Sequence, residues 1–249
     1  MRLAVLSDVH ANIHALEPVL EQIETSDFDR VICLGDVVGY GAFPNEVVEF
    51  LDASGVEMLR GAYDEAIVVG RPRRIPELDT DLERVEKVSY LWTLRELSPE
   101  NRTLLRGLPR EMTVPSRVGP GLLATHRLPG VVSGLAVAVP ADWGLREVAE
   151  RVGCCLFLCG HTHVPVDRSL NGFRLVNCGS VGMPHDGDTR ACYVAIEIDS
   201  NPHPDSVQVT VKRVKYDVES AARAIERRGL PSQLAEVLRS GKTEVKTPA

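Results

Sequence analysis

Leu3-Ala-Val-Leu6 runs directly into Ser7-Asp8-Val9-His10, and Val31-Ile-Cys-Leu34 runs directly into Gly35-Asp36. These two stretches decide the fold. Each is a short apolar run of the kind that makes a buried strand, and between them Ile13, Leu16, Leu20 and Ile23 recur at helical spacing. Pro18 removes one backbone donor, so this helix either kinks there or begins close to it. A second helical pattern covers 45–52, with Val47, Val48 and Leu51 inward, and stops near Gly55; residues 56–59 read as a third strand. The order β-α-β-α-β implies parallel strands of one sheet joined by right-handed crossovers.

Working outward, 70–118 changes character. Arg71, Arg73 and Arg74 stand among prolines, a charged helical stretch covers 79–97, and Ser98-Pro99-Glu100 opens another short helix by cap and proline. A charge-rich helix is usually a solvated face, so this part reads as an outer layer in preference to a lid. Strand-like runs follow at 122–125, 154–159, 173–178, 192–198 and 207–214, and they supply a second sheet. Helices at 218–228 and 231–238, separated by Gly229, close the chain. Residues 1–249 therefore read as one domain, with 70–118 as a helical insertion or outer layer and 216–240 as C-terminal helices.

Composition narrows the function classes. The chain has 249 residues, 44% of them hydrophobic and 25% charged, which excludes collagen, coiled coil and wholesale disorder. The formal charge of −7 opposes a broad grip on phosphate backbones, so general nucleic-acid binding is not expected. No apolar run is long enough for a signal peptide core or a membrane span. The six cysteines form no C-x-x-C pair and read as buried, reduced thiols. A cytoplasmic protein without membrane contact is expected.

The chemistry collects at strand ends. Asp8 and His10 follow the first apolar run, Gly35-Asp36 the second, Gly61 and Asp64 the third, His126 the fourth, and Gly160-His161-Thr162-His163 the fifth. Ligands in open α/β sheets bind beyond the carboxyl ends of the strands, so these points converge. Residues at i and i+2 of an extended segment face one side, which lets Asp8 with His10, and His161 with His163, present ligands in pairs. Carboxylate and imidazole without thiolate suit Mn²⁺, Fe or Zn²⁺. The ligands outnumber the needs of one ion, and two ions sharing Asp36 would clamp phosphate oxygens and generate a metal-bound hydroxide near neutral pH. His14 and His203 read as surface residues, and Asp186-Gly187-Asp188 as turn chemistry.

In this order, Asp8-x-His10, Gly35-Asp36-x-x-Gly39, Gly61-x-x-Asp64, His126 and Gly160-His161-Thr162-His163 resemble the signature blocks of the calcineurin-like metallophosphoesterase superfamily. The stretch Gly35-Asp36-Val-Val-Gly-Tyr-Gly-Ala-Phe-Pro-Asn45-Glu46, Asn177-Cys-Gly-Ser-Val-Gly-x-Pro184 with Asp186-Gly-Asp, and Tyr216-Asp-Val-Glu-x-Ala-Ala are similar to its bacterial and archaeal small phosphodiesterase-type branch. The resemblance implies a four-layer α-β-β-α sandwich with two central mixed sheets and a binuclear site at their shared edge. It implies one divalent ion on Asp8, His10, Asp36 and His163, and a second on Asp36, His126, His161 and an Asn. Mn is the leading metal, with Fe, Zn, Ni or Co as alternatives.

The Asn position is Ala62 here, which weakens the second ion, since even outer-shell losses typically cost ~10–100-fold in affinity. Tyr63 stands where many relatives carry a histidine that assists the leaving group, and a phenol is a poor acid near neutrality. Asp64 would orient Tyr63 or the backbone. Arg127, beside His126, could clamp phosphate. Asp36, Tyr63, Asp64 and Arg127 are thus the candidate catalytic residues, and Asp8, His10, Asp36, His126, His161 and His163 the candidate metal ligands.

The expected function is hydrolysis of a small or locally presented phosphoester, a phosphodiester in preference to a monoester because no histidine occupies the general-acid position. The competing classes are a fold-retaining binding or scaffold protein with weakened catalysis, which Ala62 keeps open, and a phosphomonoesterase or protein phosphatase.

Overall fold

The computed structural model describes residues 1–70, 81–114, 121–128, 149–150, 153–198 and 207–243. Strand β1 (Arg2–Leu6) is apolar on both faces because both are covered. Leu3 and Val5 point into one core cluster, Ala4 and Leu6 into another, and all four are fully buried. Parallel neighbours β2 (Arg30–Cys33) and β3 (Glu57–Met58) extend the sheet, with α1 (Ile13–Glu24) and α2 (Pro44–Ala53) as the crossovers. The Asn12 side chain caps α1 by accepting from the Ala15 N–H, and the helix runs on through Pro18. Leu16, Val19, Leu20 and Ile23 of α1 pack with Val47, Val48 and Leu51 of α2 over the outer face of this sheet.

Helix α3 (Ala62–Val69) opens directly after Gly61, a helix that its sequence pattern did not announce. It is followed by α4 (Asp81–Glu96) and α5 (Pro99–Gly107). Ser98 caps α5 by accepting from the Asn101 N–H, with Pro99 in the first turn, as the sequence signature predicts. Arg71, Arg73 and Arg74 lie outside the described residues.

The second sheet holds β4 (Glu111–Val114), β5 (Leu122–Thr125), β6 (Leu156–Cys159), β7 (Pro165–Leu170) and β8 (Phe173–Cys178), in the order β4-β5-β6-β8-β7. One expectation is corrected here. β9 (Ala191–Glu197) and β10 (Gln208–Val214) belong to the first sheet, whose order is β10-β9-β1-β2-β3. β9 runs antiparallel to β1, with Val5 opposite Val194 and Leu3 opposite Ile196. That register adds Val194 and Ile196 to the layer already formed by Leu3, Val5, Ile32 and Leu34, which is a stronger demand than nearness in sequence.

Both sheets are therefore mixed. Their facing sides make one apolar layer, in which Leu3, Val5, Ile32 and Leu34 meet Leu122, Leu156, Leu158 and Val176. On the far face of the second sheet Phe157, Cys159, Phe173 and Leu175 are also buried, which is what an outer layer requires, and Ala149 packs there. The fold is α/β, two central mixed sheets with helices outside. Helices α6 (Val218–Arg227) and α7 (Ser232–Ser240) pack on each other and on Ala42 and Met183. No described helix is long and apolar enough to cross a membrane.

Candidate metal centre

The carboxyl ends of β1, β2, β5 and β6 meet at one edge of the two sheets, and the residues just beyond them form the centre. Asp8 N–H donates to the Gly35 carbonyl at 2.9 Å and His10 N–H to the Asp36 carbonyl at 3.0 Å, tying the first two loops together. Gly160 N–H donates to the His126 carbonyl at 3.0 Å and does the same for the other two. Asp8, His10, Asp36, His161 and His163 all hold φ between 47° and 72°, in the left-handed region. Each such non-glycine residue costs about 1–3 kcal/mol, and such strain clusters at functional sites. Gly160 is required by proximity, since a Cβ there would lie far inside contact distance of Ser7 Oγ and Asp8 Oδ2.

Two ligand groups result, Asp8 with His10 and His163, and Asp36 with His126 and His161; within each, the candidate ligand atoms lie within 4.8 Å of one another. His163 Nε2 is 3.2 Å from Asp8 Oδ1, and His126 Nε2 is 3.1 Å from Asp36 Oδ2. Asp36 Oδ2 is also 4.0 Å from His10 Nε2, so this one oxygen faces both groups while Oδ1 accepts the Tyr63 N–H at 2.6 Å.

These residues fit a divalent cation on a direct observation. His10 Nδ1 lies 3.3 Å from the Val38 carbonyl and His163 Nδ1 lies 2.7 Å from the Met183 carbonyl. A carbonyl only accepts, so each Nδ1 carries the hydrogen and each Nε2 presents a lone pair. Yet the two Nε2 atoms are 3.0 Å apart, and beside them the buried Asp8 Oδ1 accepts no hydrogen bond. Opposed lone pairs and an unsatisfied carboxylate oxygen require positive charge between them.

Electrostatics agree. Burial opposes ionisation of Asp8, but His163, His126 and His10 outweigh it and hold the carboxyl well below the usual range. Asp36 is likewise lowered, burial being overcome chiefly by His126. Burial depresses His10. His126 goes the other way, to about 9, because Asp36 and Asp8 overcome its desolvation.

The remaining predicted residues divide. Asp64 is buried and accepts N–H bonds from Val37, Val38 and Gly61, so it orients backbone; burial and the neighbouring Asp36 charge raise it to about 6 against those three donors. Tyr63 is buried against Gly39, its hydroxyl donates to Ser89 of α4 at 3.1 Å, and burial pushes its pKa up. This placement gives the phenol hydroxyl a partner within the protein, Ser89. Arg127 is exposed and lines a cleft with Ala62 and His126. Asp186 pairs with Arg213 and Asp188 with Arg190, as turn and surface residues. His14 packs edge-on against Phe43, and His203 lies outside the described residues.

Two supporting residues escaped sequence reasoning. Asn177 Nδ2 donates to the Gly160 carbonyl and to Thr162 Oγ1, fixing the loop that carries His161 and His163. His185 stacks on His163, ring centroids 4.1 Å apart, and burial lowers its pKa to about 2. The only signal for either was position within the Asn177–Asp188 block.

The chain is 29% identical over 261 residues to the uncharacterized protein MJ0912 of Methanocaldococcus jannaschii, covering 96% of this chain and 98% of that one. A metallophosphoesterase from Sphaerobacter thermophilus is structurally similar, with a TM-score of 0.75, 27% identity, and coverage of 97% and 100% of the two chains. The hypothetical protein PH1004 of Pyrococcus horikoshii shares the fold, with a TM-score of 0.78, 23% identity, and coverage of 96% and 98%. Residues 1–201 match the calcineurin-like phosphoesterase superfamily domain, and the chain belongs to that superfamily.

Proposed function

We propose that this protein hydrolyses phosphoesters at a binuclear centre, with phosphodiesters preferred and Mn²⁺ as the working metal. The observation that carries the reading is Asp36 Oδ2, which faces His126 of one ligand group and His10 of the other. Two divalent ions bound by these groups would supply the Lewis acidity that hydrolysis of a phosphoester needs. Asp8, His10 and His163 hold one position; Asp36, His126 and His161 hold the other, where Ala62 contributes no ligand.

The protein's own residues set the preference. Arg127 stands beside His126 and can take a non-bridging phosphate oxygen by a charge-assisted bond. Neither Tyr63 nor His185 is placed to protonate a leaving group. The Tyr63 hydroxyl is committed to Ser89, and His185 is stacked behind His163 and held neutral by burial. Esters whose leaving group departs without a proton, such as p-nitrophenyl esters, therefore suit the site.

Purified protein with Mn²⁺ is expected to cleave bis(p-nitrophenyl) phosphate faster than p-nitrophenyl phosphate, and to stop on addition of a chelator or with Asp36→Asn. Metal-loaded protein inert toward a panel of both ester types would overturn the reading in favour of a binding or scaffold role.

A further inference from the structure

Beside His126 a cleft of about 580 Å³ opens, inside the ~300–1,000 Å³ typical of small-molecule sites. It exceeds what one phosphoryl group needs, and it extends away from the ligand groups, between Ala62 and the residues Arg60, Glu65 and Arg110. Ala62 is what leaves it open on the His126 side, since its methyl group is all that stands at the first position of α3.

The charge in the cleft is arranged for an anion. Glu65 sits between two guanidinium groups, 2.8 Å from Arg60 Nε and 2.6 Å from Arg110 Nη2. Arg60 is fixed further by donating to the Arg106 carbonyl, and its side chain is only 14% exposed. Arg110 is 68% exposed and lines the cleft. One carboxylate against two guanidinium groups leaves a net positive charge in a chain whose formal charge is −7. None of Arg60, Glu65 and Arg110 has a task at the scissile bond.

We propose that this cleft receives a second phosphate carried by the substrate, held by Arg110 and Arg60 while the scissile phosphate lies at the two ligand groups. The substrate class is thus a phosphoester bearing a further phosphate a few bonds away. A phosphate fits better than a carboxylate because its two charges and three terminal oxygens can engage both guanidinium groups. The proposal rests on the phosphoesterase reading above.

Two chromogenic diesters test it: thymidine 5′-(p-nitrophenyl phosphate) and the same compound with a 3′-phosphate. Both release p-nitrophenol from the same bond. The 3′-phosphorylated compound is expected to show a kcat/KM about tenfold higher or more, expressed in KM, and Arg110→Ala to bring the ratio close to one. Calorimetry should show thymidine 3′,5′-bisphosphate binding at least tenfold tighter than thymidine 5′-monophosphate, an advantage also lost in Arg110→Ala. Equal kcat/KM values and equal affinities overturn the second-phosphate site and leave the phosphoesterase reading intact, as does a preference that persists in Arg110→Ala. Tighter, Arg110-dependent binding of the bisphosphate without cleavage of either ester supports the cleft and overturns the phosphoesterase reading.

Discussion

The Nε2 atoms of His10 and His163 face each other at 3.0 Å, while each ring turns its Nδ1 to a backbone carbonyl, of Val38 and Met183 respectively. The protein has thus arranged a repulsion that a cation relieves, and metal should stabilise the fold. With Mn²⁺ at one hundred times its Kd, stability rises by about 2.7 kcal/mol. At ~2–4 °C per kcal/mol that raises Tm by roughly 5–10 °C. Differential scanning fluorimetry with and without chelator measures it, and His163→Ala should abolish most of the shift.

Tyr63 separates packing from catalysis. Its hydroxyl bonds to Ser89 in a buried setting, so Tyr63→Phe should cost about 1 kcal/mol in urea denaturation. Loss of a general acid would instead lower kcat by ~10²–10⁴-fold. We expect kcat within about twofold of wild type.

Ala62 bears on metal occupancy. An Asn placed at the first position of α3 stands beside His126 and supplies the ligand that the superfamily pattern carries. Ala62→Asn should raise the metal content per chain measured by elemental analysis, toward two. Unchanged occupancy would show that Ala62 does not limit the second ion.

Gly160 is constrained by proximity to the metal ligands. A methyl group there collides with Asp8 Oδ2 and Ser7 Oγ, both packed in the core. Gly160→Ala should destabilise by about 1–3 kcal/mol as the overlap is relieved by shifts. It should weaken Mn²⁺ binding more than a surface Gly→Ala such as Gly107→Ala, where nothing lies within contact distance of an added Cβ.

His185 predicts a pH dependence. Burial, then His163 and His10, depress its folded pKa to about 2, below the 6.5 of the unfolded chain. The unfolded state therefore takes up the proton first, and stability is lost as pH falls below 6.5. In chelator, lowering pH from 7.5 to 5.5 should cost wild type about 1.4 kcal/mol more than His185→Phe, which keeps the stack on His163 without a titrating ring. Urea midpoints at the two pH values decide it.

Much of the fold was legible because local physics writes it locally. The apolar runs at β1, β2 and β6 are continuous because both faces are buried, and Ser98-Pro99 marks a helix start by its own hydrogen bond and missing donor. The six candidate ligand positions were legible as well, since they cluster after apolar runs, and the structure gathers them into two groups. The gap at Ala62 was visible only through the family resemblance, which implies an Asn at that position.

Other features belong to the folded chain alone. That β9 joins β1, and not the second sheet, follows from which apolar faces can be buried together over nearly two hundred residues of separation. Left-handed backbone at Asp8, His10, Asp36, His161 and His163 is imposed by loops locked to one another, since none of these residue types demands it. Tyr63 turning to Ser89, His185 stacking on His163, and Arg110 reaching Glu65 are likewise meetings between separate segments. Sequence determined which residues could bind metal. Only tertiary packing decided which lone pairs oppose one another, because burial and long-range pairing set those distances.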